Sequence, residues 1–378
     1  MNKLRSIAVI YASEGTGHRT AALALGEAFI ARVPDGKVCC FDILDFIPHP
    51  LKIAVSQSYT AMARYAPFLW GLSYWGSDKP SHLTSLVTWA HDRLCRAYLP
   101  RVLHEIQKCG VQTIIFTHYF GAAPTARAMR GKMPIFCVDT DFESHSFQRS
   151  AEFSWSFCGS ERAVRQRYCD GITNSSAAGI PIAQKYKNLP DKAAARDRLG
   201  LPQDKRIVLL SGGGIGAGPV FEAAKSLAAD EDIFTAAICG NNKKLAARMN
   251  SYFIGKKNIR TEENFISNMQ DYYAAADTAV IKPGGLSSSE ALCAGIPILL
   301  TSPIPGQEEL NLSYLTETGA ALALRRSNNA AEEIRELLAS DTAQKMSRIA
   351  LKIAKPNAAD TIIEKVNEIC ALLRSSEK

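Results

Sequence analysis

Two stretches of this 378-residue chain repeat one plan about 200 residues apart: an apolar run, a glycine-rich turn, then apolar residues at helical spacing. The first is Ile7-Ala8-Val9-Ile10-Tyr11, then Ser13-Glu14-Gly15-Thr16-Gly17-His18, then Ala21, Ala22, Leu25, Ala28 and Phe29. The second is Arg206-Ile207-Val208-Leu209-Leu210, then Ser211-Gly212-Gly213-Gly214-Ile215-Gly216, then a helix from about Pro219. Such an opening starts a βαβ unit, whose parallel strands are apolar throughout because helices cover both faces. Further short apolar runs predict strands at 38–41, 113–116, 135–138, 234–238, 278–281 and 296–300. Helices are expected at 287–294 and 308–318. The fold class is therefore α/β, with two doubly wound domains in tandem.

The expected boundaries are 1–182 for the first domain and 205–357 for the second. A polar linker, 183–204, carries Pro190, Gly200 and Pro202. Residues 358–378 form a C-terminal helix expected to pack back toward the first domain. The balance of 47% apolar and 21% charged residues excludes a disordered chain or a disulfide-stapled scaffold. Ten cysteines form no C-x-x-C pair, so buried reduced thiols in a cytosolic chain are expected. The apolar run at 7–12 is too short for a signal peptide. No stretch approaches the roughly 18–20 apolar residues that span a bilayer, so membrane contact would be peripheral. A net charge of +7 is small for a nucleic-acid binder of this length.

Residues 49–108 break the alternation. They hold eight aromatics, including Trp70, Tyr74, Trp75 and Trp89. Between 51 and 110, seven Lys/Arg stand against three Asp/Glu. Aromatic rings beside basic residues suit a membrane interface. Rings packed under a helical insertion fit the composition equally well.

Glycine turns at helix N-termini cradle phosphate, because N–H groups and the helix dipole point at the anion. Neither turn here has a dinucleotide or Walker spacing. His18 stands where the first helix begins, which disfavours imidazolium and suits a neutral general base; a merely capping histidine is the alternative. His118 and His145 follow predicted strands, whose C-terminal ends face the ligand crevice in such sheets. Asp139-Thr140-Asp141 has a D-x-D form, but no metal is expected there. Ser287 and Glu290 fit a capping box, or Glu290 accepts ribose hydroxyls.

These residues carry a resemblance. Ser13-x-Gly15-x-Gly17-His18-Arg19-x-Ala21-Ala22, Thr140-Asp141-Phe142-x-x-His145, Gly179-Ile180-Pro181-Ile182 and Lys282-Pro283-Gly284-Gly285 through Glu290, Gly295-Ile296-Pro297 and Pro305-Gly306-Gln307-Glu308 appear in order. The chain resembles the diacylglycerol glycosyltransferases, the monogalactosyldiacylglycerol synthase-like members of glycosyltransferase family 28. The resemblance implies a GT-B fold, two Rossmann-like domains facing across a cleft. It implies an inverting, metal-independent hexosyltransferase using a UDP-sugar, with no cofactor and no nucleic acid. Phe265 and Ile266 would flank uracil, Glu290 would take the ribose, and Gly213, Gly214, Gly285, Leu286, Ser287 and Ser288 the diphosphate. Gln307 and Glu308 would meet the sugar. His18 would be the base, supported by Asp141, with Gly15, Gly17, His118 and His145 lining the acceptor side. The 49–108 insertion, through Trp70, Tyr74 and Trp75, would meet an anionic membrane and the diacylglycerol acceptor. The chain would then be cytoplasmic and peripheral to the cytoplasmic membrane. Another lipid acceptor, a UDP-sugar epimerase and a non-catalytic UDP-sugar sensor are the alternatives on this scaffold. Gln148 and Ala183 depart from the family's Trp and Arg.

Overall fold

The computed structural model describes residues 4–13, 16–49, 52–53, 67–78 and 82–376. They divide into two compact units. One is drawn from Met1–Gln184, Pro305–Gln307 and Asn357–Lys378, the other from Lys185–Ile304 and Glu308–Pro356.

The first unit contains β1 (Ser6–Tyr11), α1 (Gly17–Arg32), β2 (Lys37–Asp42), α2 (Pro67–Asp78) and α3 (His82–Cys109). It continues through β3 (Ile114–Phe116), α4 (Ala122–Met129), β4 (Ile135–Val138), β5 (Trp155–Cys158), α5 (Glu161–Cys169) and β6 (Ser175–Ala177). All strand pairs are parallel, in the order β2-β1-β3-β4-β5-β6. The unbroken apolar run of β1 has a simple cause. Ile7 and Val9 enter one core with Leu25 and Phe29 of α1, while Ala8 and Ile10 enter another with Ile106 of α3, Ile114 and Phe116. Each large buried side chain contributes about 1.5–3 kcal/mol. The C-terminal helix Ala358–Ser376 belongs to this unit, laying Ile362, Ile363, Val366 and Cys370 into the α1 core.

The second unit contains α6 (Lys192–Leu199), β7 (Arg206–Ser211), α7 (Val220–Leu227), β8 (Ile233–Ile238), α8 (Lys243–Tyr252), β9 (Ile259–Glu262) and α9 (Met269–Ala275). Then come β10 (Thr278–Ile281), α10 (Gly285–Ala294), β11 (Ile298–Leu300), α11 (Gln307–Glu317), β12 (Leu322–Ala323), α12 (Ala330–Leu338) and α13 (Asp341–Ile353). The C-terminal helix of the first unit is α14. The second sheet is also parallel, in the order β12-β11-β10-β7-β8-β9.

Several expectations change. Residues 183–204 are not only a linker: Asp191 caps α6 by accepting from Ala194 N at 3.0 Å, and Ala195 and Leu201 pack on Ile207 and Ala275. Arg196 pairs with Asp277 at 2.7 Å, fixing α6 to the second unit. Helix α10 starts at Gly285, two residues early, with Gly284 as its N-cap. Ser287 is therefore inside the helix, and the Ser287/Glu290 capping box does not form. Strands β5, β6, β9 and β12 carry polar or very short runs that hydrophobic pattern alone does not reveal.

Candidate functional site

In open α/β sheets, ligands gather where the strand order reverses, beyond the carboxyl ends of the strands. In the first unit that point lies between β1 and β3; in the second, between β7 and β10. Of the residues singled out from sequence, Gly17, His18 and His118 stand at the first, and Gly213, Gly214, Gly285, Leu286, Ser287 and Ser288 at the second.

At the first switch point His18 is the second residue of α1. Its Nδ1 lies 2.7 Å from the Thr117 carbonyl, just after β3, and 3.1 Å from Thr140 Oγ1, just after β4. A carbonyl only accepts, so Nδ1 carries the hydrogen and the ring's lone pair sits on Nε2. Burial lowers the His18 pKa below 6.5, the Thr117 bond opposing it in part. Thr117 also donates through its hydroxyl to the His18 carbonyl at 3.0 Å. Neutral and orientated, His18 has the form of a general base. Gly17 opens the helix, whereas Gly15 lies outside the described residues.

His118 is buried and meets His18 edge-on at 4.5 Å, with the Tyr119 ring stacked on it at 4.3 Å. Its Nδ1 accepts from Phe120 N at 3.1 Å. His145 caps a short turn instead: its Nδ1 accepts from Phe147 N at 3.3 Å, and Gln148 Oε1 accepts from His145 N at 3.1 Å. Its Nε2 reaches Ser77 Oγ at 3.2 Å, and its ring lies 4.6 Å from that of Tyr74. Rings thus run from His18 through His118, Tyr119 and His145 to Tyr74 on α2.

Asp141 carries charge near Tyr74, whose hydroxyl pKa is raised first by burial and then by the carboxylates of Asp141, Asp78 and Glu143. Asp139 has a different part. Its two oxygens take Arg167 at 2.7 and 2.8 Å, both residues fully buried, with Ser144 joining the pair. The D-x-D pattern is therefore half structural, one carboxylate being committed to Arg167.

The aromatic insertion differs from expectation. Tyr74 and Trp75 are half-buried, Tyr74 against His145 and under Gly306. Phe68 and Leu72, one turn apart on α2, are 71% and 56% exposed, and Trp89 on α3 is 60% exposed. Trp70 lies on α2.

At the second switch point Ser211 of β7 pairs with Ile281 of β10, setting the 212–216 turn beside Lys282. Gly216 has φ +58°, and a Cβ there would meet the Cys239 carbonyl at 2.2 Å, so no side chain fits. Gly213 has φ +69°, and Gly214 accepts from Asn241 N at 2.9 Å, tying the turn to α8. Gly285, Leu286 and Ser287 open α10 with no side-chain cap. Ser288 is buried, and its hydroxyl has no partner among the described residues. Tyr273 donates to the Ser287 carbonyl at 3.1 Å. Glu290 is pushed up to about 7 by burial, against a hydrogen bond from Tyr186 and the charge of Lys185. Phe265 is 59% exposed with Ile266 half-buried beside it.

Glu308 is buried, with Lys282 Nζ at 2.5 Å on one oxygen and Ile304 N at 2.8 Å on the other. Each oxygen thus has one partner within the protein and keeps acceptor capacity for another. Gln307 falls in the first unit with Pro305 and Gly306. Lys282 and Thr140 stand in the quoted motifs without an assigned role, and Thr117, Arg167 and Tyr186 are not candidates from sequence. Thr117 and Thr140 stand directly after strands, which is a usable signal; Tyr186 lay in the supposed linker and gave none.

Residues 18–182 match the family described as monogalactosyldiacylglycerol (MGDG) synthase, and residues 191–369 match glycosyl transferases group 1. The chain is 27% identical to "Monogalactosyldiacylglycerol synthase 2, chloroplastic" of Arabidopsis thaliana, over 97% of this chain and 81% of that protein. It is 26% identical to the "Processive diacylglycerol beta-glucosyltransferase" of Bacillus licheniformis, over 72% and 73%. Among solved structures, Acinetobacter baumannii MurG superposes with a TM-score of 0.60 at 15% identity, over 96% of this chain and 99% of that one. The last likeness shows the fold, GT-B.

Proposed function

We propose that this chain, a GT-B member of the monogalactosyldiacylglycerol synthase-like glycosyltransferases, moves a hexose from a UDP-sugar to the free hydroxyl of diacylglycerol with inversion. The observation that carries the reading is the His18–Thr117 hydrogen bond, which leaves Nε2 as a neutral, basic atom. His18 Nε2 takes the proton of the acceptor hydroxyl as its oxygen attacks the anomeric carbon. The bond from that carbon to the diphosphate breaks, and its electron pair leaves with UDP. One-step displacement on an α-linked donor yields a β-glycosyl lipid.

The second unit would hold the donor. The uncapped start of α10 and the turn around Gly213 and Gly214 supply N–H groups and a helix dipole for the departing diphosphate. Preorganised donors of this kind stabilise the leaving charge without a metal ion. Glu290 would accept the ribose hydroxyls and Phe265 would offer its exposed face to uracil. The exposed Phe68 and Leu72 of α2 suit contact with a bilayer that contains the acceptor. Among the described residues no helix is long and apolar enough to cross one.

The test supplies UDP-glucose, UDP-galactose and UDP-N-acetylglucosamine in turn, with diacylglycerol vesicles, in the presence and absence of EDTA. The expected result is a β-glycosyl diacylglycerol from one hexose donor, unaffected by EDTA. No glycolipid from any donor would overturn the reading.

A further inference from the structure

Residues 240–261 contain Lys243, Lys244, Arg248, Lys256, Lys257 and Arg260 and no Asp or Glu. This is a net +6 in a chain whose total is +7. The structure places these residues along α8, on the turn that follows it and, for Arg260, on β9. Lys244, Arg248 and Tyr252 follow one another at single-turn spacing along α8. Arg248 lies 3.6 Å over the ring of Phe221, which is edge-on to Tyr252 at 5.2 Å; Lys225 of α7 sits 5.8 Å from the Tyr252 ring. After α8 the chain turns sharply, Lys256 N bonding the Phe253 carbonyl at 3.0 Å. Phe253 is buried and anchors the turn, while Ile254 is 84% and Tyr252 57% exposed. A Cβ on Gly255 would touch nothing within 4 Å, so the turn stands in the open.

Several carboxylates stand near this surface and most are engaged. Glu222 lies 3.8 Å from Arg248 and 3.4 Å from Lys225, Glu262 pairs with Arg260, and Glu263 is held by Asn250. Asp230, Glu231 and Asp232 follow α7 on the loop whose carbonyls accept from Asn258 Nδ2, next to Lys257, and Asp230 is taken by Arg335 at 2.6 Å. Lys243, Lys244, Lys256 and Lys257 have no carboxylate within ion-pair distance among the described residues. Here an aliphatic tip flanked by unpaired lysines follows an aromatic residue braced by cations. A hydrated polyanion such as RNA has no use for the exposed isoleucine, whereas the boundary between headgroups and acyl chains takes both parts.

We propose that the end of α8 and the 253–257 turn form a docking surface for an anionic lipid bilayer, separate from the aromatic face of α2. Ile254 and Tyr252 enter the headgroup boundary, and the lysines take lipid phosphates. The proposal rests on the lipid-acting reading above and extends it to the second unit.

The full chain is sedimented with phosphatidylcholine vesicles and with vesicles containing phosphatidylglycerol, at low and high salt. Each lysine near such a surface is worth about fivefold in partitioning, so Lys256→Gln/Lys257→Gln is expected to lower binding about 25-fold on anionic vesicles. Ile254→Ser is expected to weaken binding in a way that salt does not restore. Unchanged UDP affinity and melting temperature verify that the variants fold. With detergent-dispersed diacylglycerol, which needs no bilayer, both variants are expected to transfer sugar at the parental rate. Variants that pellet like the parent would overturn the proposal, as would a parent that binds oligonucleotides but no vesicles. Absence of transfer to any form of acceptor would sink the functional reading while the sedimentation result still decides this one.

Discussion

The backbone carbonyl of Thr117 receives the Nδ1 hydrogen of His18 at 2.7 Å, and so determines which nitrogen of that ring is basic. His18→Ala, which removes the proposed base, is expected to lower sugar transfer at least about 100-fold with UDP affinity intact. Because burial holds the His18 pKa below 6.5, kcat/KM is expected to fall on an acidic limb whose midpoint is below 6.5. Acid protonates Nε2 and removes the base, so activity declines as pH falls. A pH profile of the parent and of H18A, in which the limb should be absent, decides this. Thr140→Val is expected to cost about fivefold in kcat through one lost hydrogen bond.

Glu290 gives the opposite pH sense. Its pKa rises on folding from 4.5 to about 7, chiefly through burial. The folded state then binds more protons than the unfolded state between these values. That contribution to stability is full below 4.5 and is lost as pH rises through about 7. Glu290→Gln, neutral at every pH, is expected to melt higher than the parent at pH 8, by up to about 3 kcal/mol of stability. The same change should weaken UDP binding at least several-fold, which calorimetric titration would reveal. Equal melting of the two proteins at pH 8 would count against the buried charge.

Arg167 and Asp139 are both fully buried and bonded through two hydrogen bonds. Arg167→Met strands a carboxylate in the interior and is expected to cost about 3–5 kcal/mol. Denaturant unfolding would measure it. The double variant Arg167→Met/Asp139→Leu should recover much of the loss, because no charge is left unpaired. A double variant as unstable as the single would show that shape, not charge, governs the site.

Gly216 sits in the left-handed region with the Cys239 carbonyl where a side chain would begin. Gly216→Ala is expected to destabilise by more than about 1 kcal/mol and to reduce UDP affinity, since the turn must move. Gly255→Ala, with a similar φ of +77° but open space around it, controls for backbone strain alone. Equal effects at the two positions would remove the packing argument.

The strands legible from sequence were those buried on both faces, such as Ile135–Val138 and Thr278–Ile281. Strand Ser175–Ala177 is half-exposed and polar, so no apolar run marks it. Both switch points were legible because glycine turns and post-strand histidines are local signals. What sequence did not reveal depended on distant partners. Tyr186 meets Glu290 and Thr117 meets His18 only through the fold, 104 and 99 positions apart. Composition leaves open whether the rings of the insertion face a membrane or pack inward, and the resemblance that assigns Tyr74 and Trp75 to the interface does not say which side of a helix packs inward; Phe68 and Leu72 are the more exposed.

The placement of α14 bears on how the protein can be made. Its apolar face completes the core over Leu25 and Phe29, yet the whole second unit is encoded between the two. At about 5–20 residues per second, a ribosome needs on the order of ten to thirty seconds to pass from residue 184 to residue 357. Through that interval the nascent first unit lacks Ile362, Ile363 and Val366, leaving part of the core over β1 and α1 uncovered. Completion of the unit that holds His18 thereby waits until the second unit has been synthesised, so the nascent chain is a natural client for a holding chaperone until then.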